Sequence, residues 1–92
     1  MKNPRPSLRP AQAGFEEIDV HSMTKIQALA AIDARLKRAD RSVYRLKVIH
    51  GYHGGTELRD AVRARYRSHP KVCRIELGLN PGETDLVLRE LV

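Results

Sequence analysis

Ninety-two residues make one small domain and leave no room for a second of ordinary size. With 41% apolar residues, no Trp and a single Phe, the chain is neither disordered nor fibrous; its core has to be aliphatic and its stability modest, about 5–10 kcal/mol. The formal charge of +6 is uneven: residues 1–14, 25–41 and 57–71 each carry a net +3 and residues 76–92 a net −3, which points to a polyanionic partner for the basic part.

Residues 1–14 hold three prolines and no hydrophobic period, and are expected to form a mobile basic tail ahead of a folded domain at 15–92. No apolar stretch follows those charges, and no run approaches about 18 apolar residues. Neither a signal peptide nor a membrane span is therefore expected, and the cytoplasm is the default location. The first strand is predicted at Phe15-Glu16-Glu17-Ile18-Asp19-Val20-His21. Its period of two puts Ile18 and Val20 on one face, and Asp19 and His21 together on the other.

Thr24-Lys25-Ile26-Gln27 has the form of a capping box, and Ile26, Leu29, Ile32 and Leu36 recur at helical spacing. The spacing predicts a helix over about 24–39 that buries those four and keeps Lys25, Arg35 and Arg38 toward solvent. A second strand at about 43–49 runs into His50-Gly51-Tyr52-His53-Gly54-Gly55, and Thr56 is placed to cap a second helix at about 57–68. Leu58, Ala61, Val62 and Tyr66 should face inward. Arg59, Arg63 and Arg67, at i, i+4 and i+8, form one ridge, which either tracks a phosphate backbone or is an ordinary solvated face.

His69-Pro70 ends that helix. A third strand is predicted at about 72–77, a turn at Gly78–Glu83 and a fourth strand at about 85–91. Cys73, the single cysteine, has no disulfide partner in the chain and is expected to be a reduced, packed thiol. The order β-α-β-α-β-β predicts an α/β two-layer sandwich: a mixed four-stranded sheet, parallel pairings through the two helices, a closing hairpin, and both helices on one face.

Two segments carry chemistry. A carboxylate two residues from an imidazole on a strand can orient the ring and stabilise its protonated form for acid–base work, or supply two ligands of an open metal site. A strand, a Gly-rich turn and a helix start together make an anion cradle, since glycines let backbone N–H groups approach a phosphate and the helix adds its positive end. At the head of that turn, His50 is placed to donate to a phosphate oxygen or protonate a leaving oxygen; His53 lies further into the loop. The bland alternatives are a solvated Asp–His pair and a tight connection that needs glycine for geometry alone.

Together these segments resemble the Smr (small MutS-related) domain family in its single-domain form, over about residues 15–92. The family's L-D-L-H-G corresponds to Ile18-Asp19-Val20-His21-Ser22, and its H-G-x-G-x-G to the run from His50 to Gly55. Ser22 replaces a glycine, and the second motif has one apparent extra residue. The resemblance implies a sandwich akin to the C-terminal domain of translation initiation factor 3, with nucleic-acid binding and endonuclease activity on RNA or DNA. Read with the two motifs, Asp19, His21 and His50 are the expected catalytic residues, and Gly51, His53, Gly54 and Gly55, together with Arg59 and Arg63 from the helical ridge, the expected nucleic-acid-binding set. RNA cleavage through the 2′-hydroxyl needs no metal; DNA cleavage calls for a divalent ion, Mg or Mn, to activate water. A non-catalytic nucleic-acid-binding module, or a scaffold with a structural metal, uses the same residues differently.

Overall fold

The structure is a computed structural model that describes residues 14–52 and 54–90. The expected tail, apart from Gly14, and residue 91 of the expected last strand lie outside those residues, as do His53 and residue 92. The elements are β1 (Phe15–Asp19), α1 (Lys25–Arg38), β2 (Arg45–Ile49), α2 (Glu57–Tyr66), β3 (Arg74–Glu76) and β4 (Glu83–Val87). Gly14 stands at the sheet margin, its carbonyl accepting the Tyr44 N–H at 2.7 Å.

The sheet order is β1-β2-β4-β3. β1 and β2 are parallel, in the register Ile18↔Val48 and Asp19↔Ile49, and β4 is antiparallel to both β2 and β3. This corrects the expected pairing in one respect. β3 runs in the same direction as β2, as a helical crossover demands, but the hairpin folds β4 back into the slot between them.

Alternation in β2 and β4 sends Leu46, Val48, Thr84 and Leu86 toward the helices, where all four are buried. Leu46, Val48 and Leu86 meet Ala28, Ile32 and Leu36 of α1 and Val62 and Tyr66 of α2 in one core, which Val20 also joins. Each fully buried Leu, Ile or Val contributes about 1.5–3 kcal/mol. Tyr66 lets the helices clasp: its hydroxyl donates to Asp33 Oδ1 at 2.5 Å and lies 3.1 Å from the Leu29 carbonyl, while Arg65 Nη2 reaches Asp33 Oδ2 at 2.6 Å. Lys71 Nζ donates to the Leu36 and Ala39 carbonyls at 2.6 and 3.1 Å, satisfying the end of α1.

The other sheet face is polar and internally neutralised. Arg45 reaches Glu76 at 2.7 Å and Asp85 at 2.9 Å, and Lys47 reaches Glu83 at 3.2 Å. Three packing expectations change. Ile26 is 80% exposed, and Ala28 takes its place in the core. Arg35 is half-buried against Glu16 at 3.3 Å rather than directed to solvent. Cys73 is exposed, its thiol donating to the Leu88 carbonyl, because β3 begins only at Arg74. Among the described residues no helix is long and apolar enough to cross a membrane.

Candidate active site

β1 ends at Asp19, and the chain turns at once, with the Met23 N–H donating to the Val20 carbonyl at 3.0 Å. Ser22 makes this turn without a positive φ; among the described residues only glycines have one. Inside the turn Asp19 Oδ1 accepts both the backbone N–H of His21 at 3.1 Å and its ring Nδ1 at 2.6 Å. A carboxylate only accepts, so Nδ1 carries the hydrogen and Nε2 of the neutral ring keeps its lone pair. Desolvation resists ionisation of Asp19, but the hydrogen bonds from the His21 ring and backbone outweigh it, and the carboxyl titrates below its ordinary value. Both side chains stay more than half exposed, Asp19 at 54% and His21 at 60%.

The Gly-rich turn closes against this pair. Gly51 has φ +73°, and a Cβ there would stand 3.3 Å from Cβ of His21, so the two motifs touch where only glycine fits comfortably. Gly55 has φ +113°, whereas Gly54 has an ordinary backbone and open space around it. The turn's conformational need for glycine therefore falls at 51 and 55. The N–H groups of His50 and Gly51 both donate to the Gly82 carbonyl at 2.9 Å, tying the turn to the start of β4.

Between the motifs lies a cleft of about 330 Å³ lined by His21, Thr24, His50, Gly51, Tyr52 and Glu57, among others. Both helices start there. α1 opens with a complete capping box, Thr24 Oγ1 accepting the Gln27 N–H and Gln27 Oε1 accepting the Thr24 N–H, each at 3.1 Å, and its first turn holds no acid. α2 starts at Glu57, and Lys25 Nζ meets the Glu57 carboxylate at 3.4 Å, joining the two helix starts. Thr56 precedes α2 as expected but makes no capping bond. The positive ends of two helices border the cleft, a field that favours anions, while the N–H groups of His50, Gly51 and Gly55 are already donated to carbonyls of the fold.

His50 differs from the expectation of a ring presented to substrate. It borders the cleft but is only 4% exposed, with Nδ1 2.9 Å from the Gly51 carbonyl and Nε2 2.8 Å from Thr84 Oγ1. Burial lowers its pKa against the pull of the Gly51 carbonyl, and the charges of Arg63 and Arg59 lower it further. The arginine ridge is also partly committed. Arg63 donates Nε to Thr84 Oγ1 at 2.9 Å, and Arg59 donates Nε to Asp60 at 3.1 Å. Thr84, fully buried on β4, escaped the sequence reading because a threonine in a strand carries no chemical signature.

The Smr domain model matches residues 18–82, which span both motifs and everything between them. The chain belongs to the Smr domain family. This Smr domain also matches the crystal structure of the Smr domain of Thermus thermophilus MutS2, with a TM-score of 0.73 and 28% identity over 80% of this chain and 98% of that one. Among curated proteins none matches. Smr domains are nuclease-like nucleic-acid-binding modules, and the matched span includes Asp19, His21, His50 and the Gly-rich turn.

Proposed function

We propose that this Smr domain is an endonuclease that breaks phosphodiester bonds in RNA or DNA, with Asp19 orienting His21 as the general base. The observation that carries the reading is the 2.6 Å contact from Asp19 Oδ1 to Nδ1 of an exposed histidine that lines the cleft at the two helix starts. With the hydrogen fixed on Nδ1, Nε2 is the basic atom. On RNA it takes the proton of the 2′-hydroxyl, O2′ attacks phosphorus, and the P–O5′ bond breaks. The 5′-oxygen takes a proton from water, leaving a 2′,3′-cyclic phosphate.

On DNA the hydroxyl is absent, and a divalent ion, Mg or Mn, would supply an activated water. Such an ion binds through one or two carboxylates together with substrate phosphates, a demand that Asp19 fits. Among the described residues no group of three His, Cys, Asp or Glu is gathered as a ready cage. The amide of Gly54, with Arg59, holds the substrate backbone; Gly55, whose N–H donates to the Tyr52 carbonyl at 3.2 Å, shapes the turn.

Labelled single-stranded RNA, duplex DNA and branched DNA are incubated with Mg, with Mn or with chelator. Cutting of at least one substrate is expected. The combined Asp19→Ala and His21→Ala variant should lose it by about 100-fold or more while oligonucleotide affinity is largely kept. Equal cutting by that variant rejects the mechanism. Salt-sensitive binding with no cutting of any substrate replaces it with a non-catalytic binding module.

A further inference from the structure

The most organised polar structure beside the cleft lies behind it. Arg63 on α2, Thr84 on β4 and His50 after β2 come from three elements, yet their polar atoms form one unbroken chain to the Gly51 carbonyl: Nε to Oγ1 at 2.9 Å, Oγ1 to Nε2 at 2.8 Å, and Nδ1 to O at 2.9 Å. Its direction follows from its ends. A guanidinium only donates and a carbonyl only accepts. Arg63 therefore gives its hydrogen to Thr84, and His50 Nδ1 gives its hydrogen to Gly51. A neutral ring has one hydrogen, so Nε2 is left to accept the Thr84 hydroxyl.

Each hydrogen in this chain of bonds thus has one acceptor, with Thr84 fully buried and no buried side-chain nitrogen or oxygen among the described residues left unpartnered. Burial and the nearby arginine charges keep the ring neutral, the form this arrangement needs.

The consequence falls on the loop. Gly51 is free to adopt several backbone conformations, and its positive φ is one that a peptide rotation would readily exchange for another. Its N–H is tied to Gly82 and its carbonyl to His50. In a trans peptide the N–H of the next residue points opposite to the carbonyl, so turning the Gly51 carbonyl toward the imidazole turns the Tyr52 N–H away from it. Released, that peptide could rotate and bring a carbonyl oxygen to a cleft that must accept phosphate oxygens.

We propose that Arg63 and Thr84 are positioning residues that fix the Nδ1–H tautomer of His50 and through it the orientation of the Gly51 peptide in the cleft. His50 then acts on substrate through the loop and not as a proton donor. The role in substrate binding rests on the reading of the cleft as a phosphodiester site; the tautomer does not.

The test uses the whole chain with 15N-labelled histidine and three proteins: the unaltered chain, Thr84→Val, which keeps shape and loses the hydroxyl, and Thr84→Ser, which restores it. Imidazole 15N spectra at pH 7.5 should show His50 as the Nδ1–H tautomer in the unaltered chain and in Thr84→Ser, and a mixture in Thr84→Val. Affinity for a fluorescent single-stranded RNA, read by anisotropy, should fall about tenfold in Thr84→Val and return in Thr84→Ser.

A protonated or Nε2–H His50 in the unaltered chain overturns the inference without needing any variant to fold, and so does full affinity in folded Thr84→Val. If the unaltered chain shows the expected tautomer but binds no RNA, the reading of the cleft fails, and the binding role assigned to Arg63 and Thr84 fails with it. Binding without cutting removes only the nuclease reading.

Discussion

At the scale of the residue, the work assigned to Asp19 is divided between shape and charge, and a single substitution separates them. Asn at 19 keeps an oxygen that can accept the backbone N–H of His21, so the turn survives, but it removes the negative charge that stabilises an imidazolium as the ring takes a proton. Asp19→Asn is therefore expected to lower the single-turnover cleavage rate by about 100-fold or more while the chain still folds, with the thermal unfolding midpoint lowered only by the loss of the stabilising carboxylate charge. An unchanged rate would assign proton removal to another group. This pair was legible in the sequence because an i, i+2 relation on a strand is local and needs no knowledge of the fold. The partner of His50 was not. Thr84 lies 34 positions away and reaches the ring only because β4 enters beside β2.

Elements explain which helical expectations held. The core row of α1 is Ala28, Ile32 and Leu36, spaced by four, with Leu29 packed beside it. Ile26 stands two residues from Ala28, about 200° around the helix, so it faces outward although it is apolar. Hydrophobicity alone drew the stripe too wide; the small Ala28 marked its centre with a weaker signal. The capping box, by contrast, was readable residue by residue and is present in full. Thr24→Ala should cost about 1 kcal/mol in chemical denaturation. Adding Gln27→Ala to it should cost less than the two single losses together, since each side chain caps the same helix start. Strict additivity would mean that the two bonds act independently. Strand order was the least legible feature, since the alternation in β3 and β4 fits a hairpin at the sheet's edge as well as one folded back into the sheet.

For the molecule as a whole, a buried neutral histidine couples stability to pH. The His50 pKa is below its ordinary value in the folded chain, chiefly through burial, while the unfolded chain has the ordinary value of about 6.5. Below that pH the unfolded chain binds a proton that the folded chain resists. The stabilisation is thus complete above about pH 6.5 and is lost as pH falls through the folded value. The carboxyls of Asp19, Asp33 and Glu76 are also held below their ordinary values by their hydrogen-bonded partners, and their stabilisation is lost only in a more acidic range. Two descending steps are therefore expected in the unfolding midpoint as pH is lowered, the first attributable to His50. His50→Asn retains an amide donor that can reach toward the Gly51 carbonyl and cannot titrate in this range. In thermal melts between pH 7.5 and 5.5 it should flatten the first step and leave the acidic one in place. A first step of unchanged size in that variant would trace the loss to another histidine and remove the neutral ring from behind the cleft.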